Sequence, residues 1–218
     1  MVERVSGTGA MISRVYVARE RHALKSARID VLADLAARVR ELTEAVLHTD
    51  APDDEIAAAT AEIAVLTERL SAVRREYPPV AQLDEHGGVR QLASPVGGEL
   101  NPISPPVHVE ILPDGAGVRG EFTLSAVYEG PPTLVHGGVS ALILDQALGV
   151  AASANGTPGM TATFDLRYRR PTPHSVPLVV EAAATRAEGR KCWVDGRIIG
   201  PDGKPTVEAT AMFITPRL

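Results

Sequence analysis

The chain has 218 residues, enough for one ordinary domain with an appendage or for two small ones. Its formal charge of −5 and pI near 5.7 argue against a nucleic-acid binder, since no basic domain offers cations to neutralise phosphates in series. A single cysteine, Cys192, excludes an internal disulfide and fits a reducing compartment.

Glu3, Arg4, Arg14, Arg19, Glu20 and Arg21 interrupt any apolar run near the start, so neither a signal peptide nor a membrane span is expected and cytoplasm is the expected location. Residues 1 to about 11 are expected to fray. From there to His48 the sequence predicts one helix, with Leu32, Leu35, Val39, Leu42 and Val46 spaced alternately by three and four. Asp50 or Ala51 near the cap, Pro52 in the first turn and the acidic residues behind it start a second helix running to about Glu76. Its stripe is Ile56, Ala59, Ile63, Leu66, Leu70 and Val73, and the two stripes predict an antiparallel helical hairpin over residues 1–77 that either serves oligomerisation or packs on its own domain.

Residues 78–106 form a connector rich in Gly and Pro, read as a covering loop or a plain linker. It contains His86-Gly-Gly, which cannot continue as a buried helix and is set aside as a decoy. Beyond it the period changes to two. Val107 to Leu112, Val118 to Leu124, Met160 to Arg170, Leu178 to Arg186, Cys192 to Ile199 and Val207 to Ile214 are strand candidates separated by turn signals. Among them lies one apolar helix, so residues 107–218 predict an α+β domain in which a curled antiparallel sheet surrounds a central helix.

That helix carries the chemistry. From Val139 to Ala152 nearly every residue is small or aliphatic, which predicts a helix wrapped by the rest of the domain. Asp145 breaks the pattern, about two turns in and too deep to be an N-cap; a buried carboxylate there needs donors, a raised pKa or a use. Gly137 and Gly138 leave unpaired N–H groups at the helix start, a ready oxyanion site. Helix rise separates them from Asp145 by roughly 10–12 Å, so one carbonyl cannot touch both within a chain. An antiparallel pair of these helices across a two-fold axis would bring Gly137 of one copy to Asp145 of the other.

On the strand from Met160, parity puts Ala162, Phe164, Leu166 and Tyr168 on the core face and Thr161, Thr163, Asp165, Arg167 and Arg169 on the other. Parity cannot separate Thr161 from Thr163.

Glu129-Gly-Pro-Pro, His136-Gly-Gly, Asp145 nine residues after the histidine, Met160-Thr-Ala, Tyr168-Arg-Arg-Pro and Glu188-Gly-Arg-Lys occur in an order that resembles the hotdog-fold acyl-CoA thioesterases. The resemblance is to the PaaI-like and thioesterase superfamily member branch and covers roughly residues 100–218. It implies hydrolysis of an acyl-CoA to free acid and CoA. Asp145 then matches the acidic catalyst, as general base or nucleophile, and Thr161 its assistant, while His136 and Gly137 match the pair at the helix start, with Gly138 beside them. It also implies dimers or dimers of dimers with shared sites, and coenzyme A only as part of the substrate. The alternative on the same pocket is a non-catalytic acyl-CoA-binding module. A hydratase would carry an Asp before a His, the reverse of the order here.

Each residue also has a plainer role open to it. Asp145 could be held by backbone donors, and His136 could fix the glycine turn instead of, or besides, binding substrate. Arg169, Arg170, Arg190 and Lys191 at strand ends are candidates for the phosphates of coenzyme A, or are simply solvated. His22, His48, His108 and His174 share no metal-ligand spacing, and no metal is expected. The Gly-x-Ser-x-Gly and phosphate-loop motifs do not occur.

Overall fold

The structure is a computed structural model that describes residues 24–80 and 91–216. The expected fraying of the first residues, the first part of the first helix, His22 and the His86-Gly-Gly string lie outside the described residues.

Two helices lead. Helix α1, Ser26–His48, begins later than its periodicity suggests, because Lys25 is extended and the Leu24 N–H donates to the Val80 carbonyl at 3.1 Å. Helix α2, Asp53–Ser71, starts on Pro52 with Asp53, Asp54 and Glu55 in its first turn, an acidic set suited to the positive end of the dipole, and ends before Glu76. The expected packing of the two stripes is not found. α1 buries Ile29 and Ala36, α2 buries nothing, and the two helices hardly touch. Val46, Ile56, Val65 and Leu70 stand in solvent instead.

After α2 the described part of the connector is packed. Leu92 and Val96 are buried, the Leu100 N–H donates to the Leu92 carbonyl at 2.9 Å, and Arg40 of α1 donates to the Asn101 carbonyl at 3.1 Å.

The sheet has six antiparallel strands in the order β1-β2-β4-β5-β6-β3. They are β1 (Glu110–Ile111), β2 (Val118–Thr123), β3 (Met160–Tyr168), β4 (Pro177–Glu188), β5 (Lys191–Ile199) and β6 (Pro205–Ile214). β1 is shorter than expected, and Pro105 and Pro106 before it cannot donate to a ladder. β4 and β5 close on a two-residue turn in which Gly189 takes φ 57°, the left-handed conformation that a side chain would resist.

Helix α3, Gly137–Ala154, lies across β4 and β5. Ser140, Ile143, Leu144, Ala147, Leu148, Ala151 and Ala152 are buried, and they meet Val180, Val194, Val207 and Phe213 of the sheet in one core. The expectation of a helix wrapped all round is therefore corrected to a helix covered on one face. Leu142 is 39% exposed, and Asp145, Gln146 and Gly149 beside it are half-buried. β3 reaches that side at Asp145, but among the described residues nothing covers Leu142.

Candidate active site

The outward face of α3 runs beside β3, the edge strand. β3 pairs with β6 as Met160↔Ile214, Thr161↔Phe213, then Thr163↔Met212 and Phe164↔Ala211, so one extra residue is inserted between Thr161 and Thr163. Directly opposed residues share a face, and a bulge reverses parity on one side of it. Thr161 therefore joins Phe213 and Phe164 on the helix side, while Thr163 stays outside with Met212. Strict alternation placed both threonines on the outer face; the bulge corrects this and separates them. The Thr161 hydroxyl donates to Asp145 Oδ1 at 2.9 Å.

Asp145 is half-buried and Thr161 exposed within one chain, so the carboxylate is not sealed in the core as its apolar neighbours suggested. Its hydrogen-bond partner among the described residues is a side-chain hydroxyl, which leaves Oδ2 open.

At the start of α3 the His-Gly-Gly string explains itself. His136 is the N-cap, with φ −59° and ψ 131°, and its Nδ1 accepts the Gly138 N–H at 3.0 Å. A Cβ on Gly138 would lie 3.1 Å from that nitrogen, so a side chain at 138 would push the ring off its capping position by a few tenths of an ångström. In the neutral ring an accepting Nδ1 puts the proton on Nε2. Gly137 sits close to another side chain: the Tyr168 hydroxyl donates to its carbonyl at 2.9 Å, and a Cβ there would lie 3.2 Å from that oxygen, so Tyr168 would have to give by a few tenths of an ångström.

The Gly138 amide is thus spent on the cap. Among the described residues the Gly137 N–H has no partner, and it is the amide at the helix start open to a ligand. The turn-fixing role foreseen for His136 is present, and of the two amides expected to cradle an oxyanion one is occupied.

The loop ahead of the cap is fastened by Glu129. Its carboxylate accepts the Thr133 N–H at 2.9 Å and lies 2.7 Å from His174 Nε2, and the first of these contacts above all holds its pKa below the usual glutamate value. Thr133 and Ser175 take φ 69° and 59°, strained for residues with side chains, and Ser175 Oγ lies 2.8 Å from His174 Nδ1. Sequence reasoning missed this clasp and the role of Tyr168. Glu129 and His174 are 45 residues apart and share no motif, whereas a tyrosine on the helix-facing row opposite a glycine was a usable signal.

The four cations fall into two groups. Arg169 pairs with Glu208 at 2.8 Å, and Arg170 holds Asp202 at 2.7 Å and the Pro205 carbonyl, beside the β5–β6 turn. Arg190 donates to the Thr215 carbonyl at 2.9 Å, and Lys191 opposes Ile214 at the other end of β6. Within one chain the first group lies by Tyr168 and Gly137 and the second by Thr161 and Asp145.

A groove of about 790 Å³ runs between α1 and the connector, lined by Ala45, His48, Ile103, Pro106 and Tyr128 among others, and it contains neither Asp145 nor Gly137. It backs onto the cap loop, since the Tyr128 carbonyl accepts the His136 N–H at 2.9 Å; burial pushes the Tyr128 hydroxyl pKa up. No cluster of metal-binding side chains occurs among the described residues.

A family model described as the thioesterase superfamily matches residues 133–207, which hold the cap, α3 and β3 to the start of β6. The crystal structure of protein RHA08564, a thioesterase superfamily protein, superposes with a TM-score of 0.77 at 35% identity, covering 84% of this chain and 90% of that one. The chain belongs to the thioesterase superfamily. Acyl-coenzyme A thioesterase THEM4 of Mus musculus is 39% identical over 87 residues, 39% of this chain and 37% of that protein. Its counterpart in Xenopus laevis is 33% identical over 87 residues, 39% of each chain. The chain therefore spans little more than a third of the length of these curated relatives. The superfamily's hotdog arrangement is the curled sheet and central helix described above.

Proposed function

We propose that the protein hydrolyses the thioester of an acyl-CoA to a free acid and CoA at sites shared by two copies of the chain. The observation that carries this reading is the separation of the two halves of the chemistry on α3. The open Gly137 N–H and the Asp145–Thr161 pair lie eight residues apart, roughly 12 Å along a helix axis. A two-fold axis beside the outward face of α3 sets Gly137 of one copy against Asp145 of its partner. The exposed edge strand β3, with unpaired backbone groups along one side, supports pairing there.

In this arrangement the Gly137 N–H and the positive end of α3 hold the carbonyl oxygen, where one donor contributes roughly 3 kcal/mol to the transition state. Asp145 of the partner takes a proton from water as the water oxygen bonds to the carbonyl carbon. The tetrahedral intermediate then expels the CoA thiolate, which is protonated to the thiol. Alternatively the carboxylate itself attacks the carbonyl carbon and the CoA thiolate leaves and is protonated, after which water hydrolyses the resulting anhydride to the free acid and the regenerated carboxylate. Thr161 orients Asp145 in either course. The same axis brings Arg190 and Lys191 of one copy to the end where Arg169 and Arg170 of the other stand, a set of cations suited to the phosphates of coenzyme A.

The test is thiol release from a panel of acyl-CoA esters by the wild type and by Asp145→Asn. Release by the wild type alone supports the reading. Saturable binding of the esters without release by either protein would make this a binding module, and equal release by both would remove Asp145 from the mechanism.

A further inference from the structure

Helix α2 has no buried residue, although most helices draw their stability from tertiary packing of an apolar face. Ile56 is 42% exposed, Ile63 38% and Leu70 50%, and with Ala59 and Leu66 they form one stripe at alternating spacings of three and four. Leu66 sits in a shallow depression bordered by Ala61, Glu62, Val65 and Arg69. Neither Glu62 nor Arg69 has an ion-pair partner in its own chain among the described residues.

We infer that α2 is a second self-association surface, pairing antiparallel with α2 of another copy and joining site-forming dimers into larger assemblies. The register follows from the stripe. With Ile56, Ile63 and Leu70 as one set of core positions and Ala59 and Leu66 as the other, an antiparallel pair sets Ile63 against Leu66 and Ala59 against Leu70, reciprocally about one two-fold axis. Glu62 and Arg69 then occupy equivalent flanking positions, which face each other across an antiparallel seam, and each Glu62 meets an Arg69 of the other copy. At the ends, this register sets Asp53, Asp54 and Glu55 of one helix level with the stretch just past Ser71 of the other, which carries Arg74 and Arg75. Parallel pairing would stack the three acids on their own copies and leave Glu62 opposite Thr67. The surface stands apart from α3, and the inference does not depend on hydrolysis.

The experiment is the molar mass of the full chain by sedimentation equilibrium, with thiol release measured on the same samples. Leu66→Asp is expected to halve the mass. Glu62→Arg is expected to do the same through repulsion by Arg69, and combining it with Arg69→Glu is expected to restore the parent mass. Because α2 has no buried side chain, these variants leave the fold intact, and thiol release per chain is expected to persist. A mass equal to the parent's for Leu66→Asp, or no recovery in the double variant, would overturn the inference. Loss of thiol release at unchanged mass would count against the proposed function and leave α2 without its role as well.

Discussion

Thr161 and Asp145, from an edge strand and the central helix, meet through one 2.9 Å hydrogen bond because a bulge turns Thr161 toward the helix and leaves Thr163 facing away. A hydrogen bond to a charged group contributes about 1.5–3 kcal/mol. Thr161→Ala is therefore expected to lower kcat roughly tenfold or more with little change in KM. Thr161→Ser is expected to retain most of the rate, and Thr163→Ala to behave as wild type. Steady-state kinetics on one acyl-CoA ester check this, and equal losses at the two positions would put the bulge in the wrong place.

Asp145→Asn keeps the size of the side chain and its acceptor for Thr161 while removing the base. The expected result is a loss of roughly 10²–10⁴ in turnover, with thermal midpoint and molar mass unchanged. Near-normal thiol release from this variant would exclude Asp145 as base and nucleophile alike.

Gly137→Pro deletes the open N–H without asking α3 to begin elsewhere. Proline suits the first position of a helix, and His136, at φ −59° and ψ 131°, already has the conformation that a residue before proline takes. The added ring requires Tyr168 to shift by a few tenths of an ångström, since a Cβ at this position lies 3.2 Å from its hydroxyl. kcat is expected to fall roughly 10²–10³-fold in a folded protein. A rate within a factor of a few of wild type would mean that the carbonyl oxygen is held elsewhere.

Glu129 fastens the loop that ends in His136, and its pKa lies below the ordinary value because the Thr133 N–H and then His174 favour the charged form. A carboxyl lowered in this way stabilises the fold fully above its unfolded value, near 4.3, and loses that contribution as pH falls through the lowered folded value. Glu129→Gln is expected to lower the urea midpoint near neutral pH, with the gap to wild type closing as the pH drops below about 4.3. A gap that stays constant through acid would show that the charge of Glu129 is irrelevant to the clasp.

The sequence was most legible where a period could be read. Alternating strands, the apolar helix and the His136–Asp145 spacing located the six described strands and placed the carboxylate and glycines on one helix. It was least legible where one residue alters a count or where partners are distant in the chain. The inserted residue between Thr161 and Thr163 reversed a parity argument that alternation alone could not correct. The Glu129–His174 clasp joins segments that no local pattern links. The stripe of α2 is visible in the sequence, but spacing alone pairs it with α1; an apolar face states that it wants covering and not by what. The apparent depth of Asp145 followed from counting apolar neighbours around a helix that the sheet covers on one side only.

Subunit complementation tests the shared site most directly. Asp145→Asn and Gly137→Pro, each inactive alone, are mixed in equal amounts and allowed to exchange subunits, and thiol release is followed. In a mixed dimer one site carries both lesions and the other pairs an intact Gly137 with an intact Asp145. Random exchange is therefore expected to restore about a quarter of the wild-type specific activity. If exchange is shown by mass and the mixture stays inactive, the glycine amide and the carboxylate do not serve one ester from two chains.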